Sequence, residues 1–128
     1  MLVTPEYVGW ARRELGSDTT LAVEQLAVLE TDPERARALA RGPLGFLGQV
    51  PAYQASFRRM GFPEADISTL SDDLVDGVIG WGDAAALAAR VRDQRDAGAD
   101  HVAVSVVSAS EAPTLDEWRA VAGAVLPA

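Results

Sequence analysis

The chain has 128 residues and no cysteine. That excludes disulfides, thiolate metal sites and cysteine nucleophiles, and it suits a reducing, cytoplasmic setting. Histidine is almost as scarce. His101 is the only one, and a single imidazole without thiolates makes a poor zinc site. No apolar run approaches the roughly 18 to 20 residues that a membrane span needs. The N-terminus lacks the basic region and apolar core of a secretory signal, so neither membrane insertion nor export is expected. Positive charge is also in short supply. Eleven basic residues against nineteen acidic ones leave a formal net charge of −8. The basic ones are scattered among acids along helices, so nucleic acid is not an expected partner.

What remains is ordinary globular composition, 48% apolar and 23% charged, in a length that suits one domain over residues 1–128. The stretch Val78 to Val107 sets the class. A short apolar run (Val78, Ile79, Trp81) ends at Gly82-Asp83, an Ala-rich helix follows as far as Gly98, and a second apolar run spans Val102 to Val107. Two strands joined by a helix of this length lie parallel, with the helix packed back over them. The fold class is therefore α/β.

Further βα units surround this one. Pro5 to Leu15 reads as a helix after Thr4 as cap, with Val8, Ala11 and Leu15 on one face. Leu21 to Leu29 is nearly continuously apolar, as a parallel strand buried on both faces would be. Glu24 and Gln25 interrupt it, and at least one of them needs a polar partner. Asp32 and Pro33 start a helix expected to stop near Arg41, before Gly42 and Pro43. Residues 42–73 are rich in glycine, proline and aromatics, with helices expected near 51–60 and 63–67. An excursion this long exceeds an ordinary connection, with Phe46, Phe57 and Phe62 expected to pin it to the body. In the last strand Val102, Val104 and Val106 point one way, and His101, Ala103, Ser105 and Val107 the other. Thr114 and Glu117 form a capping box for a final helix expected to bury Trp118, Val121, Ala122 and Val125.

Few residues suggest chemistry. Arg58 and Arg59, near Tyr53 and Phe57, can line a pocket for an anionic group, although paired arginines on a helix are usually solvated. Trp81 can border a ring-shaped ligand, and Gly82 permits close backbone approach. Asp83, however, puts negative charge where a phosphate would sit, and GVIGWG is not a phosphate-loop or dinucleotide fingerprint. Glu30, Thr31 and Asp32 lie at the carboxyl end of a strand, the side on which α/β sheets carry chemistry, yet Asp32 is already used as a cap. His101 begins its strand, the end that serves stability, and no serine–histidine–acid set assembles. Tyr53, Phe57, Arg58, Trp81 and Gly82 are the candidate substrate-pocket residues; no catalytic or metal-ligating residue is expected.

Four segments in this order, ETDPERARALA, RRMGFPEADI, SDDLVDGVIGWGDAAALAARV and DAGADHVAVSVV, resemble the C-terminal part of luciferase-like oxidoreductases that use coenzyme F420, within the luciferase-like monooxygenase superfamily. The resemblance implies a partial (β/α)8 barrel of about three C-terminal βα units. Leu21 to Glu30, Val78 to Trp81 and Val102 to Val107 would be its sixth, seventh and eighth strands, and the helical insertion at 42–73 would lie near the active-site mouth. It implies hydride transfer between a deazaflavin, or alternatively FMN, and an organic substrate. The first five strands, which carry most cofactor contacts in that family, have no counterpart here. The chain alone is therefore expected to be inactive and not to bind the cofactor. The alternative is an assembly module that pairs with itself or with a separate N-terminal half.

Overall fold

The longest apolar strand, β1 (Ala22–Leu29), takes the middle of a three-stranded parallel sheet in the computed structural model, which describes residues 1–127. On one side β3 (His101–Val107) pairs with it from Ala22↔His101 to Val28↔Val107. On the other, β2 (Ile79–Gly82) pairs only with its carboxyl half, from Leu26↔Ile79 to Leu29↔Gly82. Leu2 makes a parallel bridge to Glu24. The chain is thus mixed α/β, with seven helices among the described residues.

The order β2-β1-β3 corrects one expectation. Consecutive barrel strands are neighbours, so Val78–Trp81 and Val102–Val107 should have been adjacent. They are separated by β1 instead. The physical reason is burial. A central parallel strand must be apolar on both faces, and in β1 Leu26, Ala27 and Val28 are all buried. β3 alternates valine with His101, Ala103 and Ser105, which suits an edge.

The helices begin where side chains can satisfy their first amides. In α1 (Pro5–Leu15) Thr4 Oγ1 accepts from the Tyr7 amide at 3.2 Å. In α2 (Pro33–Leu47) Asp32 Oδ1 accepts from Arg35 at 2.9 Å. α3 (Pro51–Arg59) and α4 (Glu64–Thr69) form the excursion, and Ser71 caps α5 (Asp72–Val78). Asp83 caps α6 (Ala84–Asp96), and the reciprocal Thr114–Glu117 box opens α7 (Leu115–Val125).

Three details differ from the sequence reading. First, α2 does not stop at Arg41 but runs through Gly42 and Pro43 to Leu47. Pro43 forfeits a ladder bond, a loss of roughly 3 kcal/mol, but continuing the helix brings Leu44 onto the buried stripe of Ala36 and Ala40. Second, Phe46 pins nothing, since it is 74% exposed; Phe57 does the pinning, fully buried, with Phe62 beside it. Third, Trp118 is 42% exposed and Leu15 49%, while Val121 is the buried residue of α7.

The two sheet faces are covered unequally. One face is roofed by α6 and α7, where Ala27, Leu87, Val106 and Val121 form a core with Val104. The opposite face is covered by α2 to α5 over its carboxyl half only, where Leu26, Val28 and Ile79 meet Leu44, Phe57 and Leu74. Its amino half carries Ala22, His101 and Ala103 exposed, with Glu24 and Ser105 half-buried.

A polar clasp fixes α5 and β2 to α2. Arg37 donates to both Asp76 oxygens, at 3.0 and 2.7 Å, and the Trp81 indole donates to Asp76 Oδ1 at 2.9 Å. The Arg37 guanidinium lies 5.4 Å from the Trp81 ring centroid. Hydrogen bonds from Arg37 hold the Asp76 carboxyl below its ordinary value, aided by the Trp81 bond and opposed by burial. Its folded-state value is depressed, so its contribution to stability is present above the unfolded value near 3.9 and is lost as pH falls through the folded value. Asp76→Asn should lower stability by about 1 kcal/mol at pH 7, a modest figure because the side chain is partly exposed. Urea unfolding of the two proteins should show this gap closing as pH falls below about 4; a gap that does not depend on pH would show that the charge of Asp76 contributes nothing.

Candidate functional site

In an open α/β sheet the natural crevice lies at the carboxyl ends of two neighbouring strands whose following connections leave toward opposite faces. Here those strands are β1 and β2. The chain leaves β1 toward α2 on one face and leaves β2 toward α6 on the other. Between them is a hollow of about 290 Å³ lined by Leu29, Glu30, Thr31, Gly82, Asp83 and Ala84. Gly82 is required by its backbone. Its φ is 134°, and an added Cβ would lie 2.7 Å from the Ala86 Cβ.

The electrostatics of this crevice are acidic and internally satisfied. Glu30 Oε1 accepts from the Asp32 amide at 2.9 Å and from Arg35 at 3.0 Å. The Arg35 guanidinium, with that amide, holds the Glu30 carboxyl below the ordinary range. The Asp32 and Asp83 carboxylates cap the two helices that open here, so those amides face the chain's own anions. An anionic ligand finds no vacant positive end. Among the described residues no group of three or more acidic or histidine side chains is placed to hold a metal ion.

The five candidate pocket residues are not gathered in one place. Tyr53 and Phe57 are one turn apart on α3, with ring centroids at 6.1 Å. Phe57 is fully buried and serves packing. Arg58 pairs with both Glu64 oxygens, at 2.8 and 2.6 Å, joining α3 to α4. Its neighbour Arg59 lines a separate hollow beside α1. Trp81 is committed to the Asp76–Arg37 clasp. Only Gly82 lines the crevice. Tyr53, Phe57 and Trp81 share one thing, the apolar core under α2 to α5.

A polar patch on the half-open face escaped the sequence reading. Ser105 Oγ lies 3.5 Å from Glu24 Oε1. Burial and the negative charge of Glu24 push the Tyr53 phenol above its ordinary value, so Tyr53 is a hydrogen-bond donor at neutral pH. The set offers two hydroxyls and a carboxylate, suited to hydrogen-bonding a polar group. It is not a nucleophilic relay, because His101 lies four strand residues from Ser105, roughly 13 Å away. The alternation in β3 signalled this face; which half the helices leave open depends on where α3 docks, which local pattern does not carry.

Comparison with family models, with curated proteins and with solved structures finds no match. Among the described residues no helix is long and apolar enough to cross a membrane.

In a Tyr7→Phe background, which leaves Tyr53 as the one tyrosine, spectrophotometric titration should find the phenol ionising above the usual value of about 10. Glu24→Gln should move the midpoint part of the way back down, since it removes the like charge and leaves the burial. An unmoved midpoint would separate Tyr53 from Glu24 and dissolve the patch.

Proposed function

We propose that the chain is the C-terminal sector of a luciferase-like oxidoreductase, supplying wall and support rather than the cofactor site. The parent reaction would be hydride transfer between deazaflavin F420, or alternatively FMN, and an organic substrate, in a cytoplasmic setting. One observation carries the reading. The amino half of one sheet face is left uncovered, and it presents small and polar residues (Ala22, Glu24, His101, Ala103, Ser105) where a covered face would present large apolar ones. A finished barrel interior is a packed core of mostly bulky branched residues, so the open strip reads as wall that lacks its facing side chains, at the end of the strands that serves stability rather than chemistry. In this reading β1 and β3 are successive wall strands, since they pair along seven residues. β2, four residues long on the far side of β1, stands outside that succession.

The residues of this chain do not fit an anionic cofactor. The crevice at the strand ends is lined by Glu30 and Asp83, and the nearby Arg35, Arg37 and Arg41 are each paired with carboxylates. No step of the reaction is therefore assigned to them. The partner that completes the open strip is a set of barrel strands, or a second copy of the chain acting as an assembly module. The second alternative is favoured by β3, which has a neighbour on one side only and carries no proline or lysine to blunt its edge.

Two measurements test the reading. Titration with oxidised and reduced deazaflavin, followed by fluorescence, should show no saturable change at micromolar protein; tight binding would overturn the assignment of the cofactor site elsewhere. Light scattering should show association that grows with concentration. Ala103→Arg, on the open strip, should shift that association to higher concentration while the melt stays cooperative. A monomer at every concentration would remove the need for completion.

A further inference from the structure

A hollow of about 570 Å³ lies away from the strand ends, between α1 and the end of α3, and is lined by Thr4, Glu6, Tyr7, Trp10, Arg59 and Met60. Its volume is in the range of small-molecule sites. Three features of its lining are open to a ligand, although Tyr7 also packs against the core cluster of Val3 and Val8. Tyr7 and Trp10, one turn apart on α1, form a tilted aromatic pair with centroids 5.0 Å apart, and Trp10 is 45% exposed. Arg59 belongs to none of the ion pairs among the described residues, although five of the other arginines make carboxylate pairs between different segments of the chain. Glu6 is likewise in no ion pair there; it feels the charge of Arg90 from beyond pairing distance.

An exposed tryptophan on a folded surface loses nothing by being covered, and a planar group stacked on it gains roughly 0.5–1.5 kcal/mol beyond area burial. One cation and one anion on the same cleft, not paired with each other, together match a ligand that carries both charges. A simple anion would be repelled by Glu6, and a simple cation by Arg59. We propose that this cleft binds a small aromatic zwitterion, an aromatic amino acid. Its ring lies on Tyr7 and Trp10, its carboxylate meets Arg59 and its ammonium meets Glu6. The site is independent of the oxidoreductase reading and is on the opposite end of the sheet from the β1/β2 crevice.

The test uses the whole chain labelled with ¹⁵N and the three tryptophan indole N–H signals, of Trp10, Trp81 and Trp118. L-Phenylalanine should shift the Trp10 signal saturably and leave Trp81 and Trp118 in place. N-Acetyl-L-phenylalanine lacks the ammonium and phenethylamine lacks the carboxylate, so each should bind about two- to fivefold more weakly, the range expected of a solvent-exposed charge pair. Arg59→Gln should erase the advantage of phenylalanine over phenethylamine, and Glu6→Gln its advantage over the acetylated form. The unchanged Trp81 signal, held by Asp76, reports that each variant is folded. Equal affinity for all three ligands, or no saturable Trp10 shift up to on the order of 10 mM ligand, would overturn the proposal.

Discussion

Gln25 sits in the middle of the central strand with its side chain buried, and an amide in that position must find partners or cost about 1–3 kcal/mol. It finds four. Its nitrogen donates to the Leu26 and Val78 carbonyls at 3.0 and 3.3 Å. Its oxygen accepts from Arg90 Nε at 3.2 Å and from Gln94 Nε2 at 3.1 Å. Gln94 in turn donates to the Val3 carbonyl at 3.0 Å, and Arg90 Nη2 donates to the Gly77 carbonyl. One side chain thus ties β1 to α6, to the entry of β2 and to the N-terminal segment. Burial holds the Arg90 guanidinium below its ordinary value, and its buried donors meet carbonyl oxygens where a carboxylate would be usual. Gly80 makes this possible: a Cβ there would come within 3.1 Å of Arg90 Cγ.

This network fits the asymmetry of the sheet. α6 must lie over β1 to supply both Arg90 and Gln94, so the connection from β2 to β3 crosses the central strand and β3 emerges on the far side. The four short residues of β2 then have only the carboxyl half of β1 to pair with. Leu2 takes one bridge on the amino half, at Glu24. The strand order that burial favours is thus held a second time, by the partners of one buried glutamine.

Much of the secondary structure was legible because its signals are local. Asp32, Asp83 and the Thr114–Glu117 box are caps whose partners lie three residues away, and each helix begins where they indicate. The need of Gln25 for a polar partner was legible too. The strand order was not, because it rests on which strand is buried on both faces and on partners such as Arg90 and Gln94, sixty-five and sixty-nine residues beyond Gln25. Gly42 and Pro43 read as a stop, and were outweighed by the buried position of Leu44. For the same reason the candidate site came through only in part. Arg58 and Arg59 are adjacent in sequence, but one is spent on Glu64 and the other faces the α1 cleft. Neighbours on a helix point about 100° apart, and sequence proximity does not say which of them has an acid waiting.

The distribution of arginine decides what this chain can offer a ligand. All eleven cations are arginine, and the ones near the strand ends are consumed in joining elements: Arg35 to Glu30, Arg37 to Asp76, Arg41 to Asp72. At the opposite end Arg12 clamps α1 to the Gly98 carbonyl and to Asp100. With a net charge of −8, ion pairs that join segments leave the carboxyl-end crevice negative. The crevice thus offers an anionic group no unpaired cation among Arg35, Arg37 and Arg41. What the chain itself provides at that crevice is shape and a glycine-lined gap, held in place by the same pairs that empty it of cations.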